Sequence, residues 1–247
     1  MKNEFYSSVV PLIIFNGGFI AGYLIFLIIK KLTGKKDKDK KKAHSKLIWS
    51  SLQDYWFTIT EPVVQLFIKM GITPNSITVF GVFISLFSAI LFAQGNIGSA
   101  GWVMIAGGVF DLMDGRVARA TNKVTKQGAF LDSVMDRYSD GLILGGLLIM
   151  FRDHWLVYFL IMSFIGFFCV SYTKARAEAT GIKCDVGFFQ RPERIFSLGL
   201  SAIFSPIFSY YTNIEVPFLL MGVIMILGIG TLLTSIYRII YSFNKLS

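Results

Sequence analysis

The chain has 247 residues, of which 54% are hydrophobic, 24 are Phe and only 16% are charged. Together with a mean hydropathy of +0.61, this excludes an ordinary soluble domain and fits a polytopic helical membrane protein. The net charge of +9 is unevenly placed, since nine lysines face only Asp37 and Asp39 between Lys30 and Lys46. Such a tract bears on membrane topology and anionic lipid, and no nucleic-acid partner is expected.

The start, MKNEFYSSVV, lacks the basic region and small-residue cleavage site of a secretory signal, so residues 8–29 are read as a true span. The lysine tract that follows places the N-terminus outside and the tract in the cytoplasm. Residues 47–70 are apolar but carry Asp54, Glu61 and Lys69, and Pro62 breaks the run. With Trp49, Tyr55 and Trp56 as headgroup-level aromatics, they read as an interfacial amphipathic helix.

Pro74 suits a helix first turn, with Thr73 as its cap, and opens a span of about 74–93. Further spans are expected from about 98 into the Asp111–Arg119 segment, over 128–150 and over 155–173, then near 195–210 and 216–236. The connections RATNKVTKQ, KARAEATGIK and CDVGFFQRPER carry most of the remaining basic residues, and the opposite turns carry few. Cytoplasmic placement of the basic loops is therefore self-consistent. Cys169 and Cys184 make no metal or disulfide pattern.

Between GWVMIAGGVF and GLILGGLLIM lie five acids and five bases, from Asp111 to Asp140. Ionisable groups at such a depth mark a functional site by default. Asp111 and Asp114 share one helix face, as do Asp132 and Asp136. Four converging carboxylates would repel by roughly 4 kcal/mol per close pair at an effective dielectric of about 20. Either some stay protonated or divalent cations hold them, and oxygen-only ligands select hard ions, Mg²⁺ first and Mn²⁺ behind it. Lys123, Lys126, Lys174, Arg176, Arg191, Arg194 and Arg238 share the same side of the membrane. A carboxylate centre facing a cationic pocket fits a phosphorylated, amphiphilic substrate.

At these residues the chain resembles the CDP-alcohol phosphotransferase family, whose signature is D-x2-D-G-x2-A-R-x8-G-x3-D-x3-D. Asp111, Asp114, Gly115, Ala118, Arg119, Gly128, Asp132 and Asp136 fill every fixed position at the right spacing. The resemblance implies an all-α integral membrane protein with a six-transmembrane-helix core after an interfacial helix. Residues 1–46 would then be an extra N-terminal span plus basic linker, and 47–247 the catalytic domain. It further implies two metal ions held by Asp111, Asp114 and Asp132, with Asp136 as partial ligand and general base. The donor would be CDP-diacylglycerol or a CDP-archaeol-type lipid, with CMP released. Gly115 and Ala118 would keep the helix face thin at the nucleotide, Arg119 would hold phosphate, and Asn75, Thr78 and Gly128 would lie nearby. A homodimer in the inner membrane, with its site on the cytoplasmic side, is implied in the same way.

SYTKARAEATG and QRPERI are similar to bacterial phosphatidylinositol phosphate synthases and archaeal archaetidylinositol phosphate synthases. On that likeness Lys174, Arg194 and Arg238, with Arg176 and Arg191 beside them, would bind the phosphate of inositol 1-phosphate, and Glu178 and Glu193 would orient the arginines. Glycerol 3-phosphate and serine are the alternative acceptors. A metal-binding transporter is the alternative class, but it would open its acids to both faces.

Overall fold

The computed structural model describes residues 2–33, 47–214 and 216–246. The lysine tract between residues 34 and 46 lies outside the described residues, as do the side chains of Trp49 and Asp54. Among the described residues there are eight helices and no strand: α1 (Lys2–Thr33), α2 (Leu47–Lys69), α3 (Pro74–Ala93), α4 (Ile97–Ala120), α5 (Lys126–Met150), α6 (Val157–Ala179), α7 (Arg191–Thr212) and α8 (Phe218–Leu246).

Five of these, α1, α3, α6, α7 and α8, are long and apolar enough to cross a membrane. Helices α4 and α5, of 24 and 25 residues, reach across about 30 Å of hydrocarbon at 1.5 Å per residue. It is the charges between Asp111 and Asp140 that keep their composition below that of the others. Phe80, Phe83 and Phe87 stand exposed on one face of α3. A helix that points large apolar side chains outward is one whose solvent is lipid.

Helix ends follow local chemistry. Pro74 opens α3, and Pro192 stands in the first turn of α7, where a missing N–H costs nothing. Asn213 ends α7 in the left-handed region at φ 56°. Two expected boundaries move. Helix α6 runs six residues past 173, through Lys174 and Arg176, because Ala-Arg-Ala-Glu-Ala favours helix and Gly181, at φ 85°, is the first residue suited to stopping it. Helix α8 continues past residue 236 to Leu246, since no Gly or Pro follows Gly230 to end it.

One compact unit comprises residues 2–8 and 74 onward. Within it α3 packs on α4 and α5, α4 on α7, and α8 on both α6 and α7, while α5 touches α6 lightly. Phe92, Leu144, Leu147, Leu160, Leu198 and Leu220 form its core. Helices close in where side chains vanish: a Cβ on Gly101 would lie 2.8 Å from the Gly199 carbonyl, so α4 and α7 meet nearly backbone to backbone. The first turns of α1 belong to this unit. The Gly98 amide at the start of α4 donates to Glu4 Oε2 at 3.3 Å, Trp102 Nε1 donates to the Ser8 carbonyl at 3.2 Å, and Phe5 stacks on Tyr210 at 4.1 Å.

Residues 9–73 form a second unit. Tyr55 is buried there, its hydroxyl donating to the Phe19 carbonyl at 3.0 Å, with the rings of Phe19, Tyr23 and Phe26 at 5.0–5.5 Å. Tyr55, expected among the headgroup-level aromatics, is thus a packing residue between α1 and α2. Nor does Pro62 break the segment, for α2 runs continuously through it. A proline inside a helix removes one backbone bond and strains one turn, and here the flanking turns hold.

Candidate functional site

The site is built where α4 ends and α5 begins. The connection spans only residues 121–125, turning through Asn122 at φ 54°. Thr125 then caps α5, its hydroxyl accepting from the Gly128 amide at 3.0 Å. So short a turn returns the chain antiparallel, and the acids near the end of α4 face those near the start of α5. Carboxylate oxygens of Asp111, Asp114 and Asp132 lie within 4.8 Å of one another. Asp114 is buried and accepts a hydrogen bond from the Thr78 hydroxyl of α3. Thr78 therefore orients a carboxylate rather than facing the ligand alone.

Beside this centre is a cavity of about 400 Å³. It gathers Asn75 and Thr78 of α3, Asp114, Gly115, Ala118 and Arg119 of α4, and Gly128 and Asp132 of α5, with Lys123 on the turn between. All residues expected at the nucleotide are thus brought together. A Cβ on Gly115 would stand 3.1 Å from Arg119 Nη1, so the guanidinium lies folded over that position. A Cβ on Gly128 would stand 3.2 Å from Thr125 Oγ1 and 3.4 Å from Asn75 Oδ1.

A second cavity, of about 150 Å³, is lined by Asp136 together with Lys174, Arg191, Arg194 and Arg238. Four of the five expected acceptor cations converge there. Arg176 does not, and this is a correction: two residues on from Lys174, it points to the other side of α6 and is exposed. Each converging cation is also held by the protein. Lys174 Nζ lies 2.8 Å from Asp185 Oδ1 and 3.8 Å from Glu178 Oε1. Glu178 thus faces a lysine rather than the arginines it was expected to orient, and Glu193 is exposed. Arg238 donates from Nε to the Val186 carbonyl at 2.7 Å and from Nη1 to the Val170 carbonyl at 2.6 Å, tying the α6–α7 loop to α6. Arg194 donates from Nη1 to the Phe167 carbonyl at 3.1 Å, and its Nη2 lies 3.0 Å from Asp140 Oδ2. Arg191 bridges Asp111 and Asp136.

Two of these partners had no separate role in the sequence. Asp140 continues the α5 stripe one turn beyond Asp136, and that spacing was the available signal. Asp185 lies in the loop, where hydrogen bonds from Lys174 and then Lys183 hold its carboxyl below the usual range. Nothing in the local sequence marks it.

The chemistry of the arrangement is that of a divalent cation site. Three carboxylates supply oxygen only and converge from two helices, and Asp136 Oδ1 beside them is buried with the Arg191 guanidinium 3.1 Å away. A cluster of oxygen donors of this kind fits a hard divalent ion.

Comparison with known proteins agrees. Residues 71–236 match the CDP-alcohol phosphatidyltransferase family, and the chain belongs to that family. It is 37% identical over 152 residues to phosphatidylinositol phosphate synthase of Mycobacteroides abscessus, covering 60% of this chain and 69% of that protein. It is 38% identical over 148 residues to archaetidylinositol phosphate synthase of Pyrococcus horikoshii, covering 60% and 78% respectively. Crystalline Mycobacterium tuberculosis phosphatidylinositol phosphate synthase with CDP-DAG bound aligns at TM-score 0.68 and 31% identity, covering 75% of this chain and 94% of that one. The same enzyme with manganese and citrate gives TM-score 0.68 over 74% and 88%. This is an all-helical, multi-pass membrane enzyme, a phosphatidyl transferase of phospholipid synthesis. Helices α1 and α2 precede the matched region.

Proposed function

We propose that the chain transfers the phosphatidyl group of a CDP-linked lipid to inositol 1-phosphate, releasing CMP. It would do so at the cytoplasmic face of the inner membrane, and as the homodimer that the family resemblance implies. The observation that carries this is the place of Asp136. Asp114 and Asp132 line the cavity built for a nucleotide, and Asp136, one turn along the same helix as Asp132, lines the cationic cavity. A hydroxyl in the second cavity is thereby one helical turn from a diphosphate in the first.

Asp111, Asp114 and Asp132 would hold two Mg²⁺ ions, with Mn²⁺ as substitute and Asp136 as a partial ligand. Bound metal would supply positive charge to neutralise the donor diphosphate and the departing CMP. Arg119, folded over Gly115, presents a planar fork suited to a phosphate oxygen pair. Asp136 Oδ1 takes the acceptor hydroxyl proton as the oxygen bonds to the lipid's phosphorus and the bond from that phosphorus to the CMP oxygen breaks. Lys174, Arg191, Arg194 and Arg238 set the positive field of the acceptor cavity. An acceptor bearing a phosphate dianion suits a cavity lined by four cations, and Arg238 among them is held by carbonyls and, among the described residues, by no carboxylate. Names of the relatives support inositol phosphate among phosphorylated acceptors.

The test is CMP release from CDP-diacylglycerol by purified protein with Mg²⁺, across inositol 1-phosphate, glycerol 3-phosphate, serine and free inositol. Inositol 1-phosphate should give the highest kcat/KM. A preference for glycerol 3-phosphate would replace the acceptor, and no release with any of them would remove the reading.

A further inference from the structure

Arg191 is the first residue of α7, and its guanidinium meets carboxylates from two other helices. Nη1 hydrogen-bonds Asp111 Oδ2 of α4, Nη2 lies 3.1 Å from Asp136 Oδ1 of α5, and Nε lies 3.8 Å from Asp140 Oδ1. The side chain is 19% exposed. Arg191 also lines the cationic cavity beside Lys174 and Arg194. One cation therefore spans the carboxylate centre and the acceptor cavity.

We propose that Arg191 is a built-in counter-cation of the metal centre: it pairs with Asp111 and Asp136 before a divalent ion binds, and the ion must displace it. This rests on the metal reading above and assigns Arg191 a role that reading does not need. The physical case is the geometry of a planar fork. Two of its nitrogens engage oxygens that belong to different helices, so the arginine holds the ends of α4 and α5 together while it partly neutralises them. A divalent ion at the Asp111, Asp114 and Asp132 cluster would draw on Asp111, and on Asp136 as a partial ligand, so it competes with the guanidinium for those two carboxylates. Arg194 cannot play this part, because Asp140 and the Phe167 carbonyl hold its Nη atoms. The guanidinium displaced from Asp111 stays at the acceptor cavity, where the incoming phosphate is its alternative partner. Metal loading and acceptor capture are thereby coupled through one side chain, which acts as a positioning residue.

The measurement is Mn²⁺ binding to the purified full chain in detergent, without substrate, by isothermal titration, with thermal unfolding followed alongside. Removing one positive charge a few ångströms from the ligands should tighten Mn²⁺ binding by about tenfold or more in Arg191→Gln, given the size of Coulomb interactions at such a range. The same substitution should lower the metal-free Tm and enlarge the Mn²⁺-induced rise in Tm. A residue that merely supported the fold would move affinity and stability down together. If Arg191→Gln does not yield folded protein, Arg191→Met decides: it also removes the charge while keeping an apolar stem, and binding should still tighten. Equal or weaker Mn²⁺ affinity in a folded variant overturns the proposal and leaves the transferase reading standing. A wild-type chain that takes up no Mn²⁺ overturns both.

Discussion

Arg194 Nη2 and Asp140 Oδ2 lie 3.0 Å apart, and these side chains are only 1% and 5% exposed. The guanidinium also stands 4.2 Å above the Phe167 ring. This charge pair is inside the bundle, between α5 and α7, and neither partner has bulk solvent to fall back on. Asp140→Ala leaves an uncompensated buried cation and should cost about 3–5 kcal/mol, whereas replacing both members by apolar residues can be close to neutral. Unfolding in detergent should therefore rank wild type near the Asp140→Leu/Arg194→Met double variant, with Asp140→Ala well below both. A single variant as stable as wild type would show that the pair does not hold the bundle.

Asp136 is the carboxylate that lines the cationic cavity, where Arg191 Nη2 lies 3.1 Å from its Oδ1. Asp136→Asn keeps the shape and removes the basicity. It should retain binding of the CDP-lipid within a few-fold while turnover falls by about 100-fold or more, the range of a lost general base. Equal loss of both, measured by binding and by CMP release, would make Asp136 mainly a ligand.

Gly187 sits in the α6–α7 loop at φ 103°, and a Cβ there would stand 2.5 Å from Thr234 Cγ2. Both facts oppose any side chain. The neighbouring Val186 carbonyl is where Arg238 Nε fastens the loop. Gly187→Ala should strain the backbone by about 1 kcal/mol or more and move the loop that carries Asp185. Expected is a rise in the acceptor KM with the CDP-lipid KM unchanged. A parallel rise in both would mean that the loop serves the two cavities alike.

On the proposed function, Asp185 would compete with the acceptor phosphate for Lys174, whose Nζ lies 2.8 Å from its Oδ1. Its carboxyl is held below the ordinary value by the two lysines. A lowered pKa means that the contact is present above the unfolded value and fades only as pH falls through the folded one, so it persists from neutral pH down into the acid range. Asp185→Asn should lower the acceptor KM by about two- to fivefold, consistent with a weak exposed pair. The ratio of mutant to wild-type KM should stay constant between pH 5 and pH 8. A ratio that drifts across this interval would assign the competition to another group.

The sequence reveals those features of the site that depend on spacing along one helix. Asp111 with Asp114, and Asp132 with Asp136, need no tertiary information, because helical periodicity alone puts each pair on one face. The α4 wall of the larger cavity follows for the same reason, since Gly115, Ala118 and Arg119 continue that helix face. What crosses between helices is not visible there. That Arg194 turns inward to Asp140, that Arg191 takes Asp111, and that Arg238 grips backbone carbonyls all depend on how α5, α6, α7 and α8 approach one another. Arg176 was grouped with Lys174 by composition, although a separation of two residues in a helix sends them apart. Pro62 shows the opposite error, a local rule applied to a helix that absorbs the defect.

The Gly98 amide that donates to Glu4 lies on the same continuous helix as Asp111, thirteen residues away, or about 20 Å at 1.5 Å per residue. A stiff rod carries axial displacement from one end to the other with little loss. The depth at which Asp111 and Asp114 sit is thus partly set by a clasp at the other end of α4, made by Glu4 in the first turn of α1. A purification tag fused ahead of Lys2 would crowd that clasp, while one placed after Leu246 would leave it alone.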